Sequence, residues 1–357
     1  MHVDELYDNR FVIRDEGDPM TARTLAVLCL LLAALAVHAQ ERYAPQPASP
    51  PAGAGYVLPD GTIQIVGWDD LAGIFARLDA LYEKTHPSTK LRYVTGNLIA
   101  PQHSLIFGET AFAPTGMEFS TGLNSAYRPM ARAPTYSVRI AHGAAQGEAK
   151  LGPLAFIVNK ANLLERLSPV QLLHIFTVGG RAPDIVWWKQ AGVKGELEEQ
   201  EIHSYGLPES DHYPSEDPGF GPWLFRDKWG LGHNARNYRM QRTYADVTRR
   251  VGEDPAGIGI TTVNRVTNDV KVLGVTSGDW GAPMRGSRED ILGGRYPYDR
   301  FVYAYIRRVP DAPIDPFVKE YLRMVFSQEG QAIIASDPKG YLQLNRAELE
   351  AELAKLD

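Results

Sequence analysis

One stretch, residues 152–176, constrains the fold more than any other part of the chain. Its apolar run 154–158 has the length of a buried strand and ends at Asn159. Ser168 is then a good N-cap, Pro169 suits the first position of a helix, and apolar side chains follow at helical spacing. Strand, loop and capped helix together predict half of an α/β unit.

Short apolar strands alternate with amphipathic helices elsewhere in the chain. Residues 62–66 and 91–94 have strand character, and residues 71–82 between them carry one apolar face at helical spacing. Residues 110–114 predict a further strand. This alternation is typical of βαβ units and predicts a mostly parallel sheet flanked by helices.

The N-terminal residues have the pattern of an export signal. Met20 begins a segment with one positive charge at Arg23, an apolar core over 25–37 and a small residue, Ala39. The core is too short to span a bilayer comfortably. The six acids ahead of Met20 indicate an upstream start codon. We expect cleavage after Ala39, so that residues 1–39 are an upstream extension plus signal peptide and the mature protein is periplasmic.

Composition excludes several classes of function. The single cysteine, Cys29, lies in the signal core, so the mature chain offers no disulfide, thiolate nucleophile or zinc–thiolate site. The formal charge is −6, and removal of the acidic N-terminus brings it closer to balance. No basic field for nucleic acid is therefore expected. Local backbone dipoles still allow such a chain to bind a small anion.

Three segments resemble one protein family. Residues 152–176 resemble the second lobe of the periplasmic phosphate-binding proteins, the substrate-binding components of phosphate ABC transporters. Residues 326–344 resemble the closing helix of that family and its glycine-tyrosine end, and residues 139–143 resemble a lobe-crossing segment. The resemblance covers about 56–344. It implies the α/β type II periplasmic-binding fold, with two lobes, each a mostly parallel sheet flanked by helices, and a cleft between them.

The domain organisation follows from composition and from the resemblance. Residues 40–55, rich in proline, alanine and glycine, predict a flexible linker. The family fold crosses twice between lobes, which implies lobe 1 over 56–141 and 276–357, and lobe 2 over 142–275. The length of the chain is enough to bury the cores of two lobes. We expect a monomer.

The first candidate anion site is the turn after the strand at 91–94. In open α/β sheets, ligands bind at the carboxyl ends of strands, beside helix N-termini whose N–H groups favour anions. Gly96 and Asn97 occupy such a place. The resemblance implies a glycine-serine turn there, with Asn97 in place of the serine. Asn97 either contacts the ligand or acts as a plain helix cap.

The second candidate site is the segment from Thr115 to Glu118. The resemblance implies an arginine here, but this chain has Met117. Thr115 and Glu118 remain as binding candidates, because a carboxylate selects a protonated oxyanion by accepting its O–H group. The alternative is a solvated loop acid.

The third candidate site has diverged most. The family pattern of tyrosine-glycine-arginine followed by serine-glycine-threonine is replaced by residues 205–207, with Leu207 for the arginine, a longer insertion over 208–218, and Gly219 and Gly221. The two glycines remain candidates through their backbone N–H groups. The hydroxyl donors are absent unless Ser210 or Ser215 of the insertion folds back.

The histidines of the chain allow two kinds of role. His142 in the lobe-crossing segment either lines the cleft and responds to pH or makes a structural hydrogen bond. His203, His212 and His233 match no compact metal site, and no cysteine assists them. We therefore expect neither metal nor cofactor.

Two functions remain. The first is a secreted solute-binding protein that captures a small oxyanion, most naturally phosphate, by hinge closure and presents it to an ABC transporter permease. The second is a diverged relative without tight anion binding, acting as an envelope interaction or sensory protein through the 208–218 insertion. An enzyme is not expected, because the sequence offers no nucleophile–base pair.

Overall fold

The computed structural model describes residues 40–119, 121–178, 183–208, 236–276 and 281–357. In these ranges the strands are β1 (Ile63–Trp68), β2 (Leu91–Gly96), β3 (Ala113–Thr115), β4 (Tyr136–His142), β5 (Leu154–Asn159), β6 (Arg166–Leu167), β7 (His203–Gly206), β8 (Arg239–Met240), β9 (Gly257–Thr262), β10 (Val270–Val272), β11 (Gly274–Val275) and β12 (Phe301–Ile306). The helices are α1 (Ala72–Thr85), α2 (Ala100–Phe107), α3 (Thr121–Ala131), α4 (Pro169–Phe176), α5 (Tyr244–Glu253), α6 (Arg288–Leu292), α7 (Pro316–Phe326), α8 (Gln328–Ala335) and α9 (Arg346–Leu353).

The predicted strand and capped helix at 152–176 are confirmed. Every residue of β5 is buried, as expected for an apolar run inside a sheet. Ser168 caps α4 by accepting the Gln171 N–H at 3.2 Å, and the Ser168 N–H donates to Gln171 Oε1 at 2.9 Å. This reciprocal pair satisfies two N–H groups that a helix start leaves open.

The sheets are mixed rather than mostly parallel. Strands β1 and β2 pair in parallel, whereas β12 runs antiparallel to both β3 and β4. A larger sheet has the order β10-β5-β9-β7-β8, in which β5 is antiparallel to β9 and β10. In the three-stranded sheet β3-β12-β4, the chain leaves along β4 and returns along β12 in the opposite direction, which makes that pairing antiparallel.

Buried apolar side chains form two large cores. The first core joins residues between Tyr56 and Leu151 to residues between Val302 and Leu356. The second core is formed by residues between Leu154 and Tyr298, with Leu342 from the C-terminal segment. The chain therefore crosses twice between cores, as a two-lobed fold requires. The boundaries between lobes at 141 and 276 stay a prediction.

The segment predicted as a flexible linker contacts the first core. Tyr43 donates its hydroxyl to Glu320 Oε1 at 2.8 Å and its N–H to Glu329 Oε2 at 2.8 Å. The Gln46 N–H also donates to Glu320, at 2.9 Å. We expected a flexible tether, but this segment is fixed because carboxylates of α7 and α8 accept hydrogen bonds from it. No helix among the described residues is long and apolar enough to cross a bilayer.

Candidate functional site

Two of the predicted anion-binding segments meet at one end of the first core. Gly96 is the last residue of β2, and Thr115 is the last residue of β3. The buried Thr115 donates its hydroxyl to the carbonyl oxygen of Leu98 at 3.1 Å. This hydrogen bond joins the turn that follows β2 to the loop that follows β3.

The turn after β2 brings a helix start close to the strand end. A Cβ atom on Gly96 would lie 2.5 Å from Ala100 Cβ, so a larger residue would push α2 away. The exposed Asn97 accepts the Ala100 N–H on its side-chain oxygen at 3.0 Å. This contact fixes the turn before α2, but the N-cap residue of α2 is Ile99, which makes no side-chain cap hydrogen bond. A ligand contact of Asn97 stays a prediction.

Some backbone N–H groups of both loops make no hydrogen bond within the part of the chain that the structure describes. Among the described residues, no acceptor is found for the N–H groups of Leu98 and Ile99, which precede α2. The same holds for the N–H groups of Met117 and Glu118 after β3, within the ranges that the structure describes. Open N–H groups at a helix start, with the helix dipole behind them, favour an anion.

Glu118 is held in place by a tyrosine of β12. Tyr303 lies opposite Thr115 in the β3–β12 pairing, and its hydroxyl donates to Glu118 Oε1 at 2.8 Å. Burial and the Glu118 charge raise the pKa of the Tyr303 phenol well above its usual range. The phenol therefore stays a hydrogen-bond donor. Glu118 itself is half-buried, which argues against the alternative of a freely solvated loop acid.

Close packing fixes the loop that carries Glu118. A Cβ atom on Gly116 would lie 2.6 Å from the Trp68 ring, which belongs to the end of β1. Only a residue without a side chain fits at this approach. The backbone between Thr115 and Glu118 is thus seated on an aromatic ring of the first core.

The third predicted segment is described only in part. Leu207, in the place of the expected arginine, is buried and packs in the second core. Its carbonyl oxygen accepts the hydroxyl of Tyr238 at 2.8 Å. Gly219 and Gly221 lie outside the described residues, so their roles stay predictions.

Sequence reasoning missed a buried arginine where the chain crosses between cores. Arg300 directly precedes β12 and is only 7% exposed. Its Nη1 donates to the Tyr244 hydroxyl at 3.2 Å, and its carbonyl oxygen accepts the Gly143 N–H at 2.7 Å. The only sequence feature that points to a buried arginine here is weak: a charged residue directly before an apolar strand.

His142 lies in the same crossing region and is completely buried. Its Nδ1 is 2.6 Å from Asp299 Oδ2, and its Nε2 is 2.9 Å from Glu348 Oε2. Burial lowers the pKa of His142, but the hydrogen bonds and charges of the two carboxylates outweigh it and raise the pKa to about 9. Of the two roles considered for His142, the structure supports the structural hydrogen bond.

The three histidines named as possible metal ligands form no cluster in the part of the chain that the structure describes. His203 pairs with Asp254 at 2.6 Å on the second core, and His212 and His233 lie outside the described residues. Among the residues that the structure describes, no three histidine, cysteine or acidic side chains are arranged to hold a metal ion.

Two cores joined by antiparallel crossing strands make a two-lobed α/β architecture, and solved structures with the type II periplasmic-binding fold share it. The crystal structure of an ABC-type phosphate transport receptor from Vibrio cholerae shares this fold with a TM-score of 0.53 and 18% identity, over 79% of this chain and 99% of that one. PstS from Borrelia burgdorferi gives a TM-score of 0.54 at 16% identity, over 80% of this chain and 99% of that chain.

The sequence is similar to the phosphate-binding protein PstS of Pseudomonas aeruginosa, with 23% identity over 300 residues. The match covers 83% of this chain and 87% of that protein. No family model matches the chain. The resemblance to periplasmic phosphate-binding proteins, predicted from residues 152–176 and 326–344, is thereby confirmed, and so is the fold class. The relatives are named as binding proteins and transport receptors, in agreement with a protein that is not an enzyme.

Proposed function

We propose that this protein is a periplasmic receptor that captures phosphate between its two lobes and presents it to an ABC transporter permease. A solute-binding role follows from the relatives, which are named for phosphate binding and phosphate transport. The observation that carries phosphate as ligand is Glu118, a carboxylate fixed by the Tyr303 hydroxyl beside open backbone N–H groups.

The chemistry of this pair matches a protonated oxyanion. Phosphate at neutral pH carries at least one O–H group, which Glu118 accepts while backbone N–H groups donate to the remaining oxygens. Sulfate has no proton to offer at that pH and would place its charge against the carboxylate. We therefore expect discrimination between two anions of nearly equal size and shape.

Hinge closure completes the site in this proposal. The described binding groups lie on the first core, so the ligand must gain contacts from the second core when the lobes close. Gly219 and Gly221 are the proposed donors from that side. A ligand shifts the equilibrium between open and closed forms only by the difference in its affinity for the two forms.

A second candidate function rests on the two lost arginines. Met117 stands at one expected arginine position, and Leu207, at the other, is buried in the second core. Charge-assisted hydrogen bonds contribute about 1.5–3 kcal/mol each, so their loss weakens binding strongly. In this case the protein acts as an envelope interaction or sensory protein through residues 208–218.

Calorimetric titration of residues 40–357 separates the two functions, after unfolding and refolding to remove carried-over ligand. We expect phosphate to bind with micromolar or tighter affinity and sulfate to give no heat. Glu118→Gln should weaken phosphate binding by roughly tenfold to a hundredfold, because the amide lacks the charge that favours the O–H group. Glu109→Gln, an exposed acid of the same lobe, is the matched control and should bind like the parent protein.

Absence of heat with phosphate, in a protein shown to be folded by circular dichroism, would contradict the receptor proposal and favour the second function. Equal binding of phosphate and sulfate would contradict the role given to Glu118.

A further inference from the structure

Gln102 carries a buried side-chain amide that has no hydrogen-bond partner. It is the third residue of α2 and is 0% exposed. Among the residues that the structure describes, neither its side-chain nitrogen nor its side-chain oxygen has a partner. Such a group loses its hydrogen bonds to water on folding and gains none in return, which destabilises the fold. A bound molecule that supplies the missing hydrogen bonds, either water or a ligand, accounts for an amide of this kind.

The buried face of α2 covers one face of β3 and β12. One turn after Gln102, the same helix face contributes to a small apolar core that both strands share. The members from the helix and the two strands are Leu105, Ile106, Ala113 and Tyr305. Ala113 and Tyr305 lie opposite each other in the β3–β12 pairing.

The next pair of residues on that face of the sheet belongs to the candidate anion site. Side chains two positions apart in a strand share a face, so the next pair is Thr115 with Tyr303. The chain enters α2 at this end of β3, where Thr115 donates to the Leu98 carbonyl oxygen at 3.1 Å. Side chains of a helix lean toward its start. Gln102 is therefore placed in the layer of Thr115 and Tyr303, and the Tyr303 hydroxyl binds Glu118.

The Gln102 amide is free to turn toward a ligand. Within the described part of the chain, a change of its rotamer breaks no hydrogen bond of the amide, and such changes are common on binding. A turn toward the start of α2 brings the amide near the open N–H groups of Leu98 and Ile99. This helix has eight residues, and its dipole favours an anion at the same end.

We propose that Gln102 is a further ligand-binding residue of the anion site that contains Glu118. This inference rests on the proposed function and adds a neutral side-chain amide to it. The Gln102 Nε2 donates to a deprotonated oxygen of phosphate, while Glu118 accepts an O–H group. The Gln102 Oε1 accepts a second O–H group, which monobasic phosphate has and sulfate lacks. Because the amide is uncharged, it leaves the charge of Glu118 to select the protonated anion.

The test combines phosphate titration and thermal unfolding of residues 40–357 for the parent, Gln102→Met and Gln331→Met. Methionine is unbranched like glutamine and lacks the amide. We expect Gln102→Met to weaken phosphate binding by roughly tenfold to a hundredfold, the range for one hydrogen bond to a charged group. Without phosphate, this variant should unfold at the same temperature as the parent or higher, because an unpaired buried amide is removed.

Gln331 is the matched control, because its buried amide is fully paired. Its Nε2 donates to the carbonyl oxygens of Ile140 at 3.2 Å and Val325 at 3.0 Å, and its Oε1 accepts the Leu344 N–H at 2.9 Å. Gln331→Met should therefore lower the unfolding temperature and leave the phosphate affinity unchanged. Gln102→Leu is the second variant in case Gln102→Met does not fold, and the same loss of affinity is expected.

The outcomes distinguish the two proposals. If the parent binds phosphate and folded Gln102→Met binds it equally well, the amide holds buried water only, and its role is overturned while the receptor function stands. If Gln102→Met loses stability without phosphate as well as affinity, the amide is structural and the inference is also overturned. If the folded parent binds no phosphate, both proposals are overturned. A loss of affinity with unchanged or raised stability supports the inference.

Discussion

At the scale of single residues, His142 makes the stability of the protein depend on pH. Its imidazole lies between Asp299 and Glu348, and its folded-state pKa of about 9 is above the ordinary value near 6.5. The contribution of His142 to stability is therefore fully present below about pH 6.5 and is lost as pH rises through 9.

We expect His142→Gln to remove this part of the pH dependence. The difference in free energy of unfolding between parent and variant should shrink by roughly 3 kcal/mol from pH 6 to pH 10. Urea unfolding at several pH values measures it. His103→Gln, on the exposed surface of α2, is the control and should follow the parent. A constant difference across the pH range would show that His142 contributes packing alone.

Some residues of the crossing region and the candidate site can be predicted from their neighbours in sequence, and others cannot. Glu118 is predictable as a candidate because the segment around it resembles a family pattern, and its role in ligand binding stays a prediction. Its hydrogen bond from Tyr303, on a strand 185 positions away, is not predictable from that segment. Arg300 belongs to no motif, and its partner Tyr244 is 56 positions away along the chain. Contacts of that kind depend on the complete fold, so neighbouring residues carry no signal for them.

At the scale of elements, local signals were the reliable ones. Helix α4 was predictable because Ser168, Pro169 and the apolar repeat all lie within one short stretch. Strand direction was not predictable to the same degree. The antiparallel pairing of β12 with β4 joins residues more than 150 positions apart, and it depends on how the chain crosses between cores.

The segment at 43–46 is held by contacts with residues far along the chain, which its own composition does not predict. Tyr43 packs on the first core and donates to Glu320, whose carboxylate is almost completely buried. We expect Tyr43→Ala to lower the free energy of unfolding by about 1–3 kcal/mol, through lost apolar burial and a lost hydrogen bond.

Chemical denaturation of residues 40–357 tests the role of Tyr43. Pro45→Ala, in the exposed part of the same segment, should leave stability nearly unchanged. If Tyr43→Ala were as stable as the parent, the segment would be only loosely held despite its hydrogen bonds.

At the scale of the whole molecule, the proposed mechanism requires a change of shape. Each core is continuous internally, and hydrogen bonds between the crossing segments, such as that of Gly143 with Arg300, connect the cores. We expect saturating phosphate to reduce the radius of gyration measured by small-angle X-ray scattering, because the lobes close around the ligand.

Glu118→Gln at the same phosphate concentration, below its own saturation, should stay closer to the open form. An unchanged radius in the parent, with binding shown by calorimetry, would mean that the ligand binds without closure.

The unequal construction of the two cores has a consequence for the order in which the chain folds. Apart from Leu342, the second core draws on a single run of sequence from Leu154 to Tyr298. The first core needs β12 and α7 to α9 as well as the N-terminal strands, so its contacts span almost the whole chain. Contacts between distant residues form slowly because long loops must close first. We therefore expect the second core to fold first and the first core to assemble last, although it begins nearer the N-terminus.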